Sequence, residues 1–371
     1  MNESRMKTPF LPFFSVLFLI CGLIYLSWST PGNSDGKSFA VSNNSQESAA
    51  GQDSQPFMKT ENPESYSLEY GWRDFDGKSH RITFDLSKAQ LQQAESEFGY
   101  YPEDLRKYLD DHLEVSRGRM VQDLRKFTQE MIDKSKYSEY ISIVEATSKS
   151  FDLKLSAPSG LHKKVKGEFE KIRSKLAKEQ AKLLKKIEKI QEEEKMRFLE
   201  SKGIRKFSGK LGVDYSLCVK NNQARVRHIL EIMRDENKDL SLRHFLGLLL
   251  SFIQEIRYYV PPFSEKGKII MEFWVPPRVL VENFGDCDSN GVTFAALWKN
   301  FKKYPLLLIR IPKHFLVGLA IPPISEQYLV LKGLRYTLCE VSVPEKLPPG
   351  MIGRYSQICL QNGQFVYDLI R

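Results

Sequence analysis

The sequence predicts an α+β protein built in series: an N-terminal membrane segment, a β-hairpin and helical middle with one long helix, and a C-terminal domain of helices plus an antiparallel sheet. Three observations predict it. A charge-free apolar run stands near the N-terminus. A long charged stretch with helical apolar spacing follows in the middle, and after about Leu240 the text turns to short apolar runs broken by turn residues. The expected divisions are a signal anchor or signal peptide at 1–29, a flexible linker at 30–65, and hairpin plus helices at 66–150. The long charged helix follows at 151–210, and the C-terminal domain at 211–371.

The first element is "PFLPFFSVLFLICGLIYLSW", Pro9 to Trp28, preceded by Arg5 and Lys7 and followed by no Lys or Arg until Lys37. That pattern targets a membrane, with the rest of the chain extracytoplasmic. Trp28 and the length of the run favour a retained single-pass anchor, while Ser27 and Ser29 leave a small-x-small site that would give a secreted chain. Cys21 is expected to face lipid. Residues 30–65, rich in Ser, Asn, Gln and Gly, bury too little apolar surface to offset ordering and read as a tether.

Structure is expected from "YSLEYGWRDFDGKSHRITFDL", where Leu68, Tyr70, Trp72 and then Ile82, Phe84, Leu86 alternate around Asp76 and Gly77 as in a β-hairpin. Trp72 reads as packing. Residues 88 to about 148 carry helical periodicity, and "PEDLRKYLDDHLE" opens one helix on Pro and acids. The next helix, from Lys163 to a stop at Gly203, has a sparse apolar stripe of Val165, Phe169, Ile172, Leu176, Leu183, Ile187 and Ile190, interrupted at Glu179 and Lys186. Two uses of that stripe stay open. It pairs two copies as a coiled coil, or it packs along its own domain.

Charge is concentrated in the same stretch. The chain has 371 residues and a formal charge of +9, and Lys163 to Lys210 alone holds 17 Lys or Arg against 8 Asp or Glu. The remainder is neutral in sum, acids are interleaved and no aromatic platform accompanies the lysines, which argues against a nucleic-acid partner. Five scattered cysteines without CxxC or His/Cys spacing predict neither a disulfide framework nor a structural metal, and no cofactor motif is present. Whether Cys218 and Cys359 pair stays open.

In the C-terminal part, "LSLRHFLGLLLSFIQEIRYY" reads as an apolar helix, and "PLLLIRIP", "HFLVGLAI", "QYLVLKGLRYTLCEVS" and "QICLQNGQFVYDLI" as strands turning at Lys332-Gly333 and Asn362-Gly363. Between them lies "VENFGDCDSNGVTFAALWKNF". Gly285 and Asp286 supply a turn and a cap, so Cys287 falls in the first turn of a helix. There the unpaired N–H groups and the helix dipole favour thiolate and can cradle an oxyanion. Of the histidines, His314 heads a strand just after the "LLLIRIP" strand, and Glu340 lies on the following strand pair, so the two are the expected base and orienting carboxylate. Asp288 is expected to act on the helix N-terminus. Trp274 and Gln254 read as packing rather than as oxyanion donors, and Cys339 should face away from Glu340's side of its strand.

Together "ENFGDCDSNGVTFAALWKNF", "KHFLVGL" and "YTLCEVS", with "IRYYVPP" and "EFWVPPRVL" upstream, resemble the motifs of the transglutaminase-like superfamily over about residues 240 to 345. The resemblance implies a papain-like fold for the C-terminal domain, with Cys287 as nucleophile, His314 as base and acid, and Glu340 as orienting carboxylate. It further implies acyl transfer through a thioester on a peptide or protein substrate, with hydrolysis of an amide bond expected over cross-linking because water is in excess. The rival expectation, from another functional class, is a catalytically inactive scaffold or binding module of the cell envelope.

Overall fold

The computed structural model describes residues 57–146, 151–207, 209–301 and 304–370. In chain order these form β1 (Met58–Glu61), β2 (Ser65–Arg73), β3 (Ser79–Ser87), α1 (Lys88–Glu97), α2 (Pro102–Asp133), β4 (Ile141–Ala146), β5 (Phe151–Leu155) and α3 (His162–Ser201). Next come β6 (Ile204–Phe207), β7 (Lys210–Val213), α4 (Tyr215–Asn222), α5 (Arg227–Asp235), α6 (Leu242–Ile253), β8 (Arg257–Tyr258), β9 (Ser264–Glu265) and β10 (Lys268–Ile269). The chain continues through α7 (Pro276–Glu282), β11 (Phe284–Gly285), α8 (Cys287–Phe301), β12 (Leu306–Ile311), β13 (His314–Leu319), β14 (Tyr328–Leu331), β15 (Leu334–Glu340), α9 (Arg354–Gln361) and β16 (Val366–Ile370).

The expected fold class, a membrane segment followed by a hairpin-and-helix middle and a separate papain-like C-terminal domain, is corrected to a mixed α+β fold in two compact units that ignore that order. One unit is Arg106–Lys195; the other joins the described residues of Gln46–Leu105 to those of Met196–Arg371. Among the described residues no helix is long and apolar enough to cross a membrane. The expected anchor at 1–29, with Cys21, and the linker as far as residue 56 lie outside the described residues. The rest of the expected linker is ordered: Met58–Glu61 is β1, paired antiparallel with β2. Its side chains are all exposed, so ladder hydrogen bonds rather than burial make it a strand, and composition misses it.

The unit Arg106–Lys195 is built on the apolar stripe of α3. Val165 and Ile172 pack with Ile132 of α2 and Ile141 of β4, while Leu176, Leu183 and Ile187 pack with Met120 and Leu124 of α2 and Phe151 of β5. The stripe is therefore used inside its own unit. Gln180, not Glu179, is the polar residue on it: four residues after Leu176, it is buried while Glu179 is half-exposed. Helical periodicity read to about 148 stops at Asp133, and Ile141–Ala146 instead pairs antiparallel with β5.

In the second unit, β1, β2 and β3 form a three-stranded sheet. The alternation of Leu68, Tyr70 and Trp72 with Ile82, Phe84 and Leu86 buries one face of β2 and β3, as the period of two requires. That face needs an apolar partner, and α6 supplies it. Phe252 meets Tyr70 and Trp72 edge-on, Trp72 Nε1 donates to Ser251 Oγ at 3.1 Å, and Tyr70 Oη donates to the Leu280 carbonyl at 2.5 Å. For this reason the hairpin belongs to the C-terminal body and not to a middle domain.

The main sheet is five-stranded and antiparallel, in the order β14-β15-β13-β12-β16. Its Lys332-Gly333 turn is as expected, both residues having positive φ. Asn362-Gly363 is not a hairpin. "RYSQICLQ" forms α9 and Gly363, at φ +67, lets the chain leave the helix for β16. One face of the sheet carries Leu307, Ile309, Leu316 and Leu338 against Ile352 and Cys359. The other carries α8, whose residues Ser289–Trp298 are all buried, as suits a helix enclosed on every side.

Candidate active site

Two elements lie at one end of the main sheet, on its two faces. The first is the N-terminus of α8. Asp286 caps it, its Oδ1 accepting the Ser289 N–H at 3.2 Å, so Cys287 is the first helical residue. The turn before it is sterically fixed: a β-carbon on Gly285 would meet Asn290 Oδ1 at 2.3 Å, and Asn290 Nδ2 donates to Ser342 Oγ at 2.8 Å. Ser342 lies two residues beyond Glu340, so this bond ties the first turn of α8 to the end of β15. The next residue, Gly291, packs against the ring of Phe315, the neighbour of His314.

The second element is the pair His314 and Glu340. His314 Nε2 lies 2.5 Å from Glu340 Oε2, with Glu340 1% exposed. Glu340 Oε1 is held by two donors, Ser356 Oγ at 2.6 Å and the Gly353 N–H at 3.1 Å, both at the start of α9. A carboxylate only accepts, so the hydrogen between them is carried by Nε2, and Nδ1 is the ring nitrogen that Glu340 leaves unused. Leaving such a buried charge without its partners costs about 3–5 kcal/mol, which fixes the imidazole in one orientation.

Alternation along β13 separates the two elements. Phe315 faces α8, whereas Leu316 lies in the cluster with Ile352 and Cys359, and His314 shares that α9 side with Glu340. Of the expected triad, the structure joins His314 to Glu340 and brings Cys287 to the same end of the sheet. No hydrogen bond links the Cys287 thiol to either partner among the described residues.

The thiol itself departs from expectation. Burial first, then the Asp288 and Asp286 carboxylates, push it well above the usual cysteine range, against the N–H groups of Asp288 and Cys287, which favour thiolate. The helix N-terminus is present, yet the acids of "GDCD" outweigh it. Burial and Asp286 in turn push the Asp288 carboxyl well above the usual carboxylate range, while the Tyr215 hydroxyl, donating at 2.5 Å, and the Ser289 N–H, at 2.9 Å, oppose that shift. The same Ser289 N–H serves Asp286 and Asp288, so the two acids converge around the thiol. Exposed Tyr258 stands opposite Gly285 in the β8–β11 pair, two residues before Cys287.

The remaining expected residues are structural. Gln254 donates to the carbonyls of Glu340 at 2.7 Å and Leu347 at 3.0 Å and accepts from the Leu347 N–H at 3.2 Å, which uses its whole amide. Trp274 is buried between Tyr259 and the Arg278 guanidinium. Cys339 faces away from Glu340's side and is fully buried, its thiol pushed up to about 12 by burial. Cys218 and Cys359 are buried free thiols. Sequence reasoning missed Ser356, Gly353, Tyr215 and the Asn290–Ser342 bond, because each acts across a long sequence separation with no local pattern to mark it. Among the described residues no group of three or more His, Cys, Asp or Glu side chains could hold a metal ion. Comparison of the chain with protein-family models, with curated proteins and with solved structures gives no match.

Proposed function

We propose that this chain is a cysteine acyl-transfer enzyme acting on a peptide or protein amide, with Cys287 as nucleophile and the His314–Glu340 pair as its base and acid. The observation that carries the reading is the pair itself: a fully buried glutamate, fixed by Ser356 and Gly353, that orients one imidazole at the end of the sheet where the Cys287 helix begins. Burying a carboxylate to hold a histidine is a weak route to stability and a common route to catalysis.

The raised thiol sets the order of events. Cys287 rests as S–H, so the proton moves to His314 Nδ1 as the sulfur–carbon bond forms, rather than from a preformed ion pair. The Cys287 and Asp288 N–H groups face the developing oxyanion. The carbon–nitrogen bond then breaks as His314 gives the proton to the leaving amine. Water next loses a proton to His314 and adds to the thioester, and sulfur leaves with that proton. The exposed Tyr258 and Tyr259, held to Gly285 just before Cys287, supply an apolar rim suited to an apolar side chain next to the reacting carbonyl.

A second reading, a catalytically quiet scaffold of the cell envelope, is favoured by one observation: the thiol is half-buried, flanked by two acids and unbonded to His314. Acylation separates the readings. Incubated with p-nitrophenyl acetate, an enzyme forms a thioester on Cys287, read by intact mass, and His314→Ala slows its formation about 10²–10⁴-fold. Adduct formation at the rate of a free thiol and indifferent to His314 would establish the scaffold.

A further inference from the structure

The solvent face of α3 carries a second feature that the proposed chemistry does not use. Lys164, Lys171, Lys175, Lys178, Lys182, Lys185 and Lys189 are all exposed and follow one another at steps of seven, four, three, four, three and four. From Lys171 to Lys189 is eighteen residues, about five turns at 3.6 residues each, so there is one lysine per turn and the line runs parallel to the helix axis. The whole stripe spans about 38 Å at 1.5 Å per residue.

Like charges at i,i+4 destabilise a helix, and the row itself carries three such pairs: 171 with 175, 178 with 182, and 185 with 189. Only Lys171, Lys182 and Lys189 have carboxylate partners, Glu168 at 3.2 Å, Glu179 at 3.0 Å and Glu193 at 3.8 Å. Lys164, Lys175, Lys178 and Lys185 face no carboxylate within ion-pair distance among the described residues. The opposite side of the helix is occupied within the unit by Val165, Ile172, Leu176, Leu183 and Ile187, so the lysine side is the free one.

We propose that this stripe is a docking surface for the anionic phospholipid headgroups of a membrane. A straight row of charges touches a plane along its whole length, whereas it meets the winding phosphates of a duplex only where it crosses them. None of the other exposed residues between Lys164 and Lys189 is aromatic; they include Gly167, Ser174 and Ala181 as well as the acids Glu170 and Glu188, so the helix inserts nothing and offers no ring on which a base stacks. Every charge in the row is a lysine, a hydrated point charge suited to a diffuse anionic surface; the planar fork of arginine, suited to individual phosphates, is absent from it. Such binding is electrostatic, reversible and screened by salt.

The test uses the full chain, floated with vesicles of neutral phosphatidylcholine or of phosphatidylcholine with one part in three phosphatidylglycerol. The neutral vesicles report any contribution from the apolar N-terminal run. The proposal expects stronger binding to the anionic vesicles, lost at about 0.5 M salt, where the Debye length falls below the reach of a lysine. The triple variant Lys175→Gln, Lys178→Gln, Lys185→Gln retains helix propensity and should lose roughly fivefold per lysine, roughly a hundredfold in all, in anionic partitioning alone. An unchanged circular dichroism spectrum excludes misfolding as the cause. Equal flotation on both vesicle types overturns the proposal, as does a triple variant that binds like the parent. Lysine-dependent binding to duplex DNA or polyglutamate without vesicle binding would overturn it in favour of a soluble polyanion.

Discussion

The ring of Phe315 stands so close to Gly291 that a β-carbon there would lie 2.4 Å from it. Contact at that range seats the first turns of α8 on β13, next to His314. Gly291→Ala gains up to about 1 kcal/mol of helix propensity and loses more by overpacking, because Phe315 is 1% exposed and has nowhere to move. We expect a net loss of about 1–2 kcal/mol in urea unfolding and slower acylation of Cys287. A more stable variant would mean that α8 slides freely on the sheet.

Glu340 separates stability from charge. In Glu340→Gln the amide oxygen still accepts from Ser356 and Gly353, but the imidazole loses its carboxylate. Acylation should fall about 10²–10⁴-fold while stability falls by only about 1–2 kcal/mol. Glu340→Ala removes all three contacts and should cost about 3–5 kcal/mol in the same unfolding titration. Equal stability losses in the two variants would count against the fixed role given to Oε1.

Asp288 predicts a pH dependence with a definite sign. Its carboxyl is raised above its ordinary 3.8 in the folded chain, so the unfolded chain releases that proton first as pH rises. The contribution of neutral Asp288 is complete below pH 3.8 and is lost as pH climbs through the folded value. Asp288→Asn stays neutral throughout. Compared with the parent, it should be no more stable at about pH 3 and more stable at about pH 7, with a flatter profile between. A variant less stable than the parent at neutral pH would show that the ionised form is the one the fold holds.

Cys287 should alkylate ahead of Cys218 and Cys339, which are more deeply buried. Its labelling midpoint should lie above the roughly 8.5 of a free thiol, since burial and two acids oppose the thiolate. Asp286→Asn preserves the helix cap and removes one charge, so it should lower that midpoint. Iodoacetamide rates against pH decide the matter, and a parent midpoint below that of a free thiol would leave the acids without their assigned effect.

Local pattern carried much of this molecule. The hairpin at Asp76-Gly77, the apolar α6, the long α3 ending before Gly203, the cap of α8 at Asp286 and the Lys332-Gly333 turn all follow from periodicity and turn chemistry within a few residues. Pattern failed where the deciding partner was remote. β1 has no buried side chain and exists through its ladder with β2, and "QICLQNG" reads equally as strand or helix until α9 packs Cys359 against the sheet.

The candidate site divides along the same line. Sequence alone put Cys287 in the first turn of a helix and named His314 and Glu340, because chain order and strand adjacency are local facts. Tertiary structure alone joined the hairpin to the C-terminal body, turned the α3 stripe inward, and anchored Glu340 through Ser356 and Gly353. It also reversed the expected state of the thiol. A helix N-terminus favours thiolate in any context, but burial and the convergence of Asp286 and Asp288 on one N–H arise only from packing, and desolvation of charge outweighs a helix dipole.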